Sequence, residues 1–380
     1  MPLRRARLLL VTLLALPSSS AVGATFQGLG SLRAGGISAG LGVSGDGTVA
    51  VGSTSSPRPF IVQAFRWTAE EGMVGLGVLG GGSPTSRAEG TSREGDVIGG
   101  DGGSANGLEG FVWTADVGMI GTGDLPGAGF ASSIFAVSGD GSTAVGTGHS
   151  STSSPHSEAI RWTLATGILS LGDLPGGAYS GRADAVNGDG SVIVGRSESP
   201  SGPEAFRWTL ATGMMGLGDL SGGIFASHAL GVTPDGSIIV GKGTSELGWE
   251  AFVWTAGAGM LGLGDLPGGA YSSEAIAISA DGAVIVGSAG GQAGDEAFVW
   301  NEEDGMRSLK ELLELDFGLD LEGWQLTHAN GVSEDGQVIV GSGSNPSGIS
   351  EAWIVELPEP STVLARLVAG VALVALARRR

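Results

Sequence analysis

A carboxylate recurs at one position of a repeated segment: Glu109, Glu158, Glu204, Glu250, Glu296 and Glu351, with Gln63 in the first copy. Six carboxylates around a ring could hold a hard cation such as calcium, which takes oxygen ligands. The simpler expectation is local: each glutamate accepts hydrogen bonds from backbone N–H groups of its own loop. A second recurring type is aromatic. Phe130, Tyr179, Phe225 and Tyr271 each follow a segment of the Leu-Pro-Gly-Gly kind. Rings spaced around one face can stack on the apolar faces of sugars, with tyrosine adding a polar handle. The same rings can instead fill the space between neighbouring units, and packing is the default expectation.

Catalysis finds little support in the residue types. His149, His156, His228 and His328 read as non-equivalent points with no metal-ligand spacing. There is no Gly-x-Ser-x-Gly elbow, and the glycine-rich stretches follow no strand-to-helix pattern, which excludes a dinucleotide fingerprint. The aspartates Asp124, Asp173, Asp219 and Asp265 read as turn residues. An enzyme would need a carboxylate or His/Arg cluster in one place, and the sequence shows none. Non-catalytic binding is the expectation.

The elements that must position these groups come from a repeat. Trp67, Trp113, Trp162, Trp208, Trp254 and Trp300 stand 46, 49, 46, 46 and 46 residues apart, and in a seventh copy Trp353 moves to the phenylalanine column. A period in this range marks a solenoid, propeller or array, because one unit cannot bury its apolar face alone. Within a unit such as 216–255, four short runs of β-branched and aromatic residues are separated by turn signals. Asp-Gly pairs supply the positive φ of a tight hairpin at Asp46, Asp140, Asp189, Asp235, Asp281 and Asp335, with Glu94-Gly95 in the second unit. Four antiparallel strands repeated radially make a β-propeller blade. The expectation is an all-β fold, a propeller of seven four-stranded blades with a period of about 46 residues. Helix is expected at most over Lys310–Leu315. An open β-solenoid is the competing architecture.

Closure is also predicted. Residues 26–32 match the first strand of a unit and residues 352–355 match the fourth, so the two ends of the domain can pair and seal the ring. Strand alternation then puts all tight turns on one face and the connections after Leu-Pro-Gly-Gly and Val-Gly on the other. The latter face is the candidate binding face, since loops on a rigid scaffold carry most binding function.

The order Glu-Ala-Phe-x-Trp, Gly-Met-x-x-Leu-Gly-Asp-Leu-Pro-Gly-Gly and Val-Ser-x-Asp-Gly-x-x-x-Val-Gly resembles the bacterial extracellular HAF repeat, over roughly residues 26–357. That family's histidine column is glutamate here, so no role of a histidine carries over. At the C-terminus, Pro358-Glu359-Pro360 precedes an apolar run, Val363–Ala377, and then Arg378, Arg379 and Arg380. This resembles the PEP-CTERM sorting signal of Gram-negative bacteria. The resemblance implies export, transient retention at the inner membrane and processing by an exosortase-type enzyme. The apolar run, read as a transmembrane helix, reaches about 22 Å against a hydrocarbon core of roughly 30 Å, so it suits a temporary anchor. At the other end, Arg4, Arg5 and Arg7, the apolar stretch Leu8–Leu16 and Val22-Gly23-Ala24 read as a signal peptide cut after Ala24.

The expected domains are therefore 1–24, signal peptide; 25–357, propeller; and 358–380, sorting and anchor segment. The two end segments hold seven arginines and one glutamate, which leaves 12 basic and 38 acidic residues in the domain between them. Such a field repels nucleic acid and leaves neutral glycans, basic proteins and divalent cations as partners. With no cysteine, the domain has no disulfides and must be held by its core. The function expected is that of an exported cell-surface or matrix protein, binding extracellular polysaccharide or a surface protein without a required cofactor. A polysaccharide-acting hydrolase or lyase and a matrix filler without specific ligand are the alternatives.

Overall fold

In a computed structural model, the structure describes residues 23–358 apart from 58, 59, 128, 153–156 and 293. Residues 1–22 of the expected signal peptide, Glu359 and Pro360 of the expected sorting motif, the apolar run and His156 lie outside the described residues, whereas Ala24 is described and buried. Among those described, no helix is long and apolar enough to cross a membrane.

Ala24–Leu357 is one compact unit of seven four-stranded antiparallel sheets. Blades 1 to 6 span 37–75, 81–121, 133–170, 181–216, 222–264 and 273–308. Blade 7 takes three strands from 325–356 and its fourth, Thr25–Gly30, from the start of the domain. Thr25 pairs with Glu356, Phe26 with Val355 and Gln27 with Ile354, so the predicted closure is present. The first strand of every blade touches the first strands of both neighbours, which makes the first strands the inner wall.

One element of the sequence reading is corrected. The strand after each tryptophan turn, Gly213–Gly216 for instance, pairs with Gly202–Thr209 and is the outer strand of its own blade. It does not open the next blade. The tryptophan and glutamate columns therefore sit on third strands, not fourth ones. The repeat frame shifts by one strand because hydrogen-bond pairing, rather than sequence order within an arbitrary unit, defines a sheet.

The Val-Gly column has a steric cause. A Cβ added at Gly241 would lie 2.0 Å from the His228 carbonyl oxygen, and the same approach recurs at Gly52, Gly100, Gly146, Gly195, Gly287 and Gly341. Each lies opposite a bulge in the first strand, such as that between Ala229 and Gly231. A bulge bends and twists its strand. Here it lets the inner strand curl around the axis while the glycine admits its backbone.

The phenylalanine column is buried more deeply than the tryptophan column. Phe65, Phe111, Phe206, Phe252 and Phe298 are fully buried, and Ile160 and Trp353 fill the same column. Of the tryptophans beside them, Trp67 and Trp208 are buried, whereas Trp113, Trp162, Trp254 and Trp300 are only partly so. Phenylalanine fills the blade interface; tryptophan packs nearer the rim, opposite Met214 in blade 4.

Between blades 6 and 7 the usual crossover is replaced by the helix Leu309–Leu315. Ser308 caps it, and Leu309 and Leu313 are buried in a core shared by blades 6 and 7.

Candidate functional site

The glutamate column is spent within the fold. Glu109 Oε1 accepts from Gly123 N–H at 3.0 Å, Glu204 from Gly218 at 3.0 Å and Glu250 from Gly264 at 3.1 Å. Glu351 Oε1 accepts from Gly30 at 2.9 Å, so the same bond also ties the closing strand. Room for Glu109, Glu204, Glu250 and Glu351 comes from a glycine on the fourth strand: a Cβ at Gly216 would lie 2.1 Å from Glu204 Oε1. The blade 3 counterpart of Gly216 is Ser170, whose hydroxyl donates to Glu158 at 2.6 Å, while Ser150 donates to the other oxygen. Glu296 lies against Gly291. The carboxylates stay in separate blades, and among the described residues no three His, Asp or Glu come together as metal donors. These bonds support the local reading of the column: Glu109, Glu158, Glu204, Glu250 and Glu351 each accept a hydrogen bond from a nearby backbone or hydroxyl donor.

The aspartates do more than turn the chain. Asp219 accepts from Ala226 N–H at 2.8 Å and from Thr244 N–H at 2.9 Å. It therefore clasps the crossover to the second strand of the following blade. Asp124 does the same with Ala131 and with His149 N–H. A serine column adds a second clasp that sequence reasoning missed. Ser227 Oγ donates to Gly218 O and accepts from Ala205 N–H, and Ser86, Ser132, Ser273 and Ser38 repeat the pattern at their own interfaces. Its signal was available: Ser86 and Ser132, like Ser227 and Ser273, are one period of 46 apart.

The candidate aromatics lie on the crossover face as the topology requires. Phe130, Phe225 and Tyr271 are half-buried, and their carbonyls close on Gly107, Gly202 and Gly248 of the preceding blade's hairpin. Tyr179 is exposed. Burial raises the Tyr271 hydroxyl to about 12, helped by the charge and hydrogen bond of Glu250. Tyr271 is therefore an interface brace as well as a surface ring. The connections after Val-Gly are short: in blades 2, 4 and 5 the strands extend and close on two residues, as Glu246-Leu247 does.

A concave site emerges where one ring breaks the repeat. Trp249 stands immediately before the glutamate column, where Leu108, Pro203 and Ser350 stand in other blades. It is 40% exposed, beside Tyr271 through the bridge between Trp249 and Ser272. Lys242 Nζ lies 5.4 Å from its ring and donates to Glu274 at 2.6 Å. With Ser288, Asp295 and His328 these line a recess of about 180 Å3 spanning blades 5, 6 and 7. An aromatic platform edged by donors and acceptors suits one sugar ring.

The recess opens beside a charged inner wall. Arg87, Arg182, His228, Glu274 and His328 occupy one register position of five first strands, each just before a buried alanine. His228 and His328, which the sequence presents as unrelated, are thus equivalent. Asp184 Oδ2 lies 2.7 Å from His228 Nε2 and also pairs with Arg182, whose guanidinium sits 3.9 Å over Phe135. The sequence signal was a charged residue alternating with alanine in a strand, as in Arg182-Ala183-Asp184.

Glu89 is the outlying member of this wall. Burial pushes its carboxyl up to about 7, with Arg87 and Arg182 opposing and Asp101 adding to the rise. The folded state then holds the proton more tightly than the unfolded one. Its contribution to stability is full below the ordinary value of 4.5 and is lost as pH rises through about 7. The loss is on the order of 3 kcal/mol. Denaturant titrations across this range should show Glu89→Gln losing that part of the pH slope; a slope identical to the parent's would place the carboxyl in water.

No protein-family model matches the chain, and no curated protein matches it. Among solved structures it is similar to oligogalacturonate lyase from Vibrio parahaemolyticus, at 11% identity over 89% of this chain and 98% of that one, with a TM-score of 0.54. It is also similar to TolB from Acinetobacter baumannii, at 11% identity and TM-score 0.45, covering 83% of this chain and 66% of that one, just under two thirds of its length. At such identity the likeness to the lyase concerns architecture alone; the strand pairing makes the chain a seven-bladed β-propeller.

Proposed function

We propose that this protein is an exported cell-surface or matrix component that binds extracellular polysaccharide without transforming it. The Trp249 recess carries the reading. A half-exposed indole on the crossover face, with Lys242, Glu274, Asp295 and His328 around it, offers stacking and directional hydrogen bonds to a pyranose. The acidic surface favours neutral over strongly acidic polymers. The two chain ends support the export reading through their sequence patterns, with retention at the inner membrane and exosortase-type processing as its corollaries.

The test is titration of residues 24–357 with the producing organism's own exopolysaccharide, supported by a glycan array. Saturable binding should weaken roughly tenfold or more in Trp249→Ala, which corresponds to about 1.4 kcal/mol. Chelation of calcium should leave it unchanged, because five of the six glutamates already accept hydrogen bonds from nearby donors. Equal affinity of parent and Trp249→Ala would remove the recess from consideration, and loss in Tyr179→Ala instead would move the site to the crossover before blade 4.

One observation favours a second reading. The His228–Asp184 pair beside Arg182 has the form of an oriented base next to a cation, which a polysaccharide-acting enzyme could use. Turnover of the bound polymer that disappears in His228→Asn would establish that reading over simple binding.

A further inference from the structure

The face opposite the recess, built from the Asp-Gly turns and the third-to-fourth-strand turns, is uneven. On blades 3 and 4 its turn tips are Leu164 and Leu210, 82% and 84% exposed, and blade 2 adds Val117 at 67%. Scattered exposed leucines are ordinary, but these three stand on adjacent blades around one groove of about 990 Å3. The tips equivalent to Leu164 are Ala69 on blade 1, Ala256 on blade 5 and Glu302 on blade 6. The apolar sector is confined to three blades.

Beneath these tips the groove is lined by Arg161 and Arg207. In blade 1 the equivalent Arg66 pairs with Glu71 at 2.7 Å. Blades 3 and 4 carry Thr166 and Thr212 in place of that glutamate. Neither Arg161 nor Arg207 has an ion-pair partner among the described residues, and Arg161 Nε is buried with no hydrogen-bond partner. Asp189, the acid at the groove, already accepts from Ser191.

Both ends of the propeller lie on this same face. Thr25 pairs with Glu356, and Leu357 N–H donates to the Gln337 carbonyl beside the Asp335-Gly336 turn at 2.7 Å. The chain after Leu357 starts from here, and it soon enters the apolar run Val363–Ala377 with its terminal arginines.

We propose that the turn tips of blades 2 to 4 form a docking surface for phospholipid. Val117, Leu164 and Leu210 enter the interface, and the guanidinium groups of Arg161 and Arg207 meet lipid phosphates, their preferred bidentate partners. The choice of lipid rests in part on reading residues 358–380 as an anchor. The acidic remainder of the domain selects a membrane of low net charge.

The propeller closes its ring within residues 24–357, so that piece can be tested without the anchor. It should float with vesicles of phosphatidylethanolamine containing a minor share of phosphatidylglycerol. Replacing both leucines, Leu164→Asp with Leu210→Asp, should reduce partitioning by roughly tenfold or more, since each is a fully exposed apolar side chain. Arg207→Gln should reduce it severalfold. Leu247→Asp, an exposed turn residue on the opposite face, should leave it unchanged. Leu164, Leu210 and Leu247 are solvent-exposed, so thermal melting should be the same for the leucine variants and the parent. Failure of the parent piece to float, or equal flotation of the double variant, would overturn the proposal. Concentration-dependent self-association lost in the double variant, without flotation, would assign the surface to a second copy and overturn it too. Because the piece lacks residues 358–380, fractionation of the full chain tests the anchor reading separately.

Discussion

Deleting Thr25–Gly30 is expected to open the ring and abolish cooperative melting. That strand buries Leu29, stacks Phe26 edge-on against Trp324 at 4.9 Å, and supplies the N–H of Gly30 to Glu351. Losing two large side chains from a packed interface costs on the order of 5 kcal/mol or more, comparable to the whole stability of many domains. The deletion also leaves Ser350–Glu356 as an unpaired edge, which invites aggregation. Circular dichroism melting together with size-exclusion chromatography measures both effects. A sharp transition at the parent's temperature would mean that blade 7 holds with three strands, and that closure contributes little.

The second large effect concerns the phenylalanine column. Phe206→Ala is expected to cost about 3–5 kcal/mol, because the side chain is fully enclosed and the neighbouring blade cannot collapse into the space. Trp208→Ala, at 8% exposure, should cost no more than this despite the larger ring. Partly exposed Trp254 should cost less again. Trp353→Phe is a useful contrast: its indole N–H is buried without an acceptor, so the smaller ring loses volume but removes an unsatisfied donor. Denaturant unfolding of the four variants should rank them Phe206→Ala at or above Trp208→Ala, then Trp254→Ala, with Trp353→Phe mildest. A ranking that follows ring size instead of burial would mean that the columns are loosely packed.

Much of the scaffold was legible because each blade repeats the same local solution. Asp-Gly turns announce hairpins through their chemistry: Gly47, Gly141 and Gly236 all adopt φ between 73° and 76°. The local role of the glutamates was also legible, since a carboxylate four residues before a strand-end tryptophan must find nearby donors. The Val-Gly column was visible as a pattern, but its reason, the approach of the opposing carbonyl at a bulge, needed coordinates.

The candidate site was less legible. Trp249 and Trp324 fall in neither the tryptophan nor the phenylalanine column, and the departure at Trp249 was the available signal for the recess. His228 and His328 share a register position because of the strand pairings His228 with Lys242 and His328 with Ser342. Numbering alone hid this, since the helix Leu309–Leu315 lengthens the stretch between them and breaks the period.

By itself the sequence determined seven units, four strands in each, and the pairing of the first strand with the last. These follow from local turn chemistry, from a period whose apolar faces can be buried only between stacked units, and from the match of the two chain ends to complementary strands of one unit. The tertiary structure alone decided which strand belongs to which blade and which charged residues meet at the axis. It also decided that an indole from blade 5 shares a recess with residues of blades 6 and 7. Those facts depend on contacts between residues far apart in the chain, and a repeat, being the same in every unit, carries no information about which of its copies will differ in what they face.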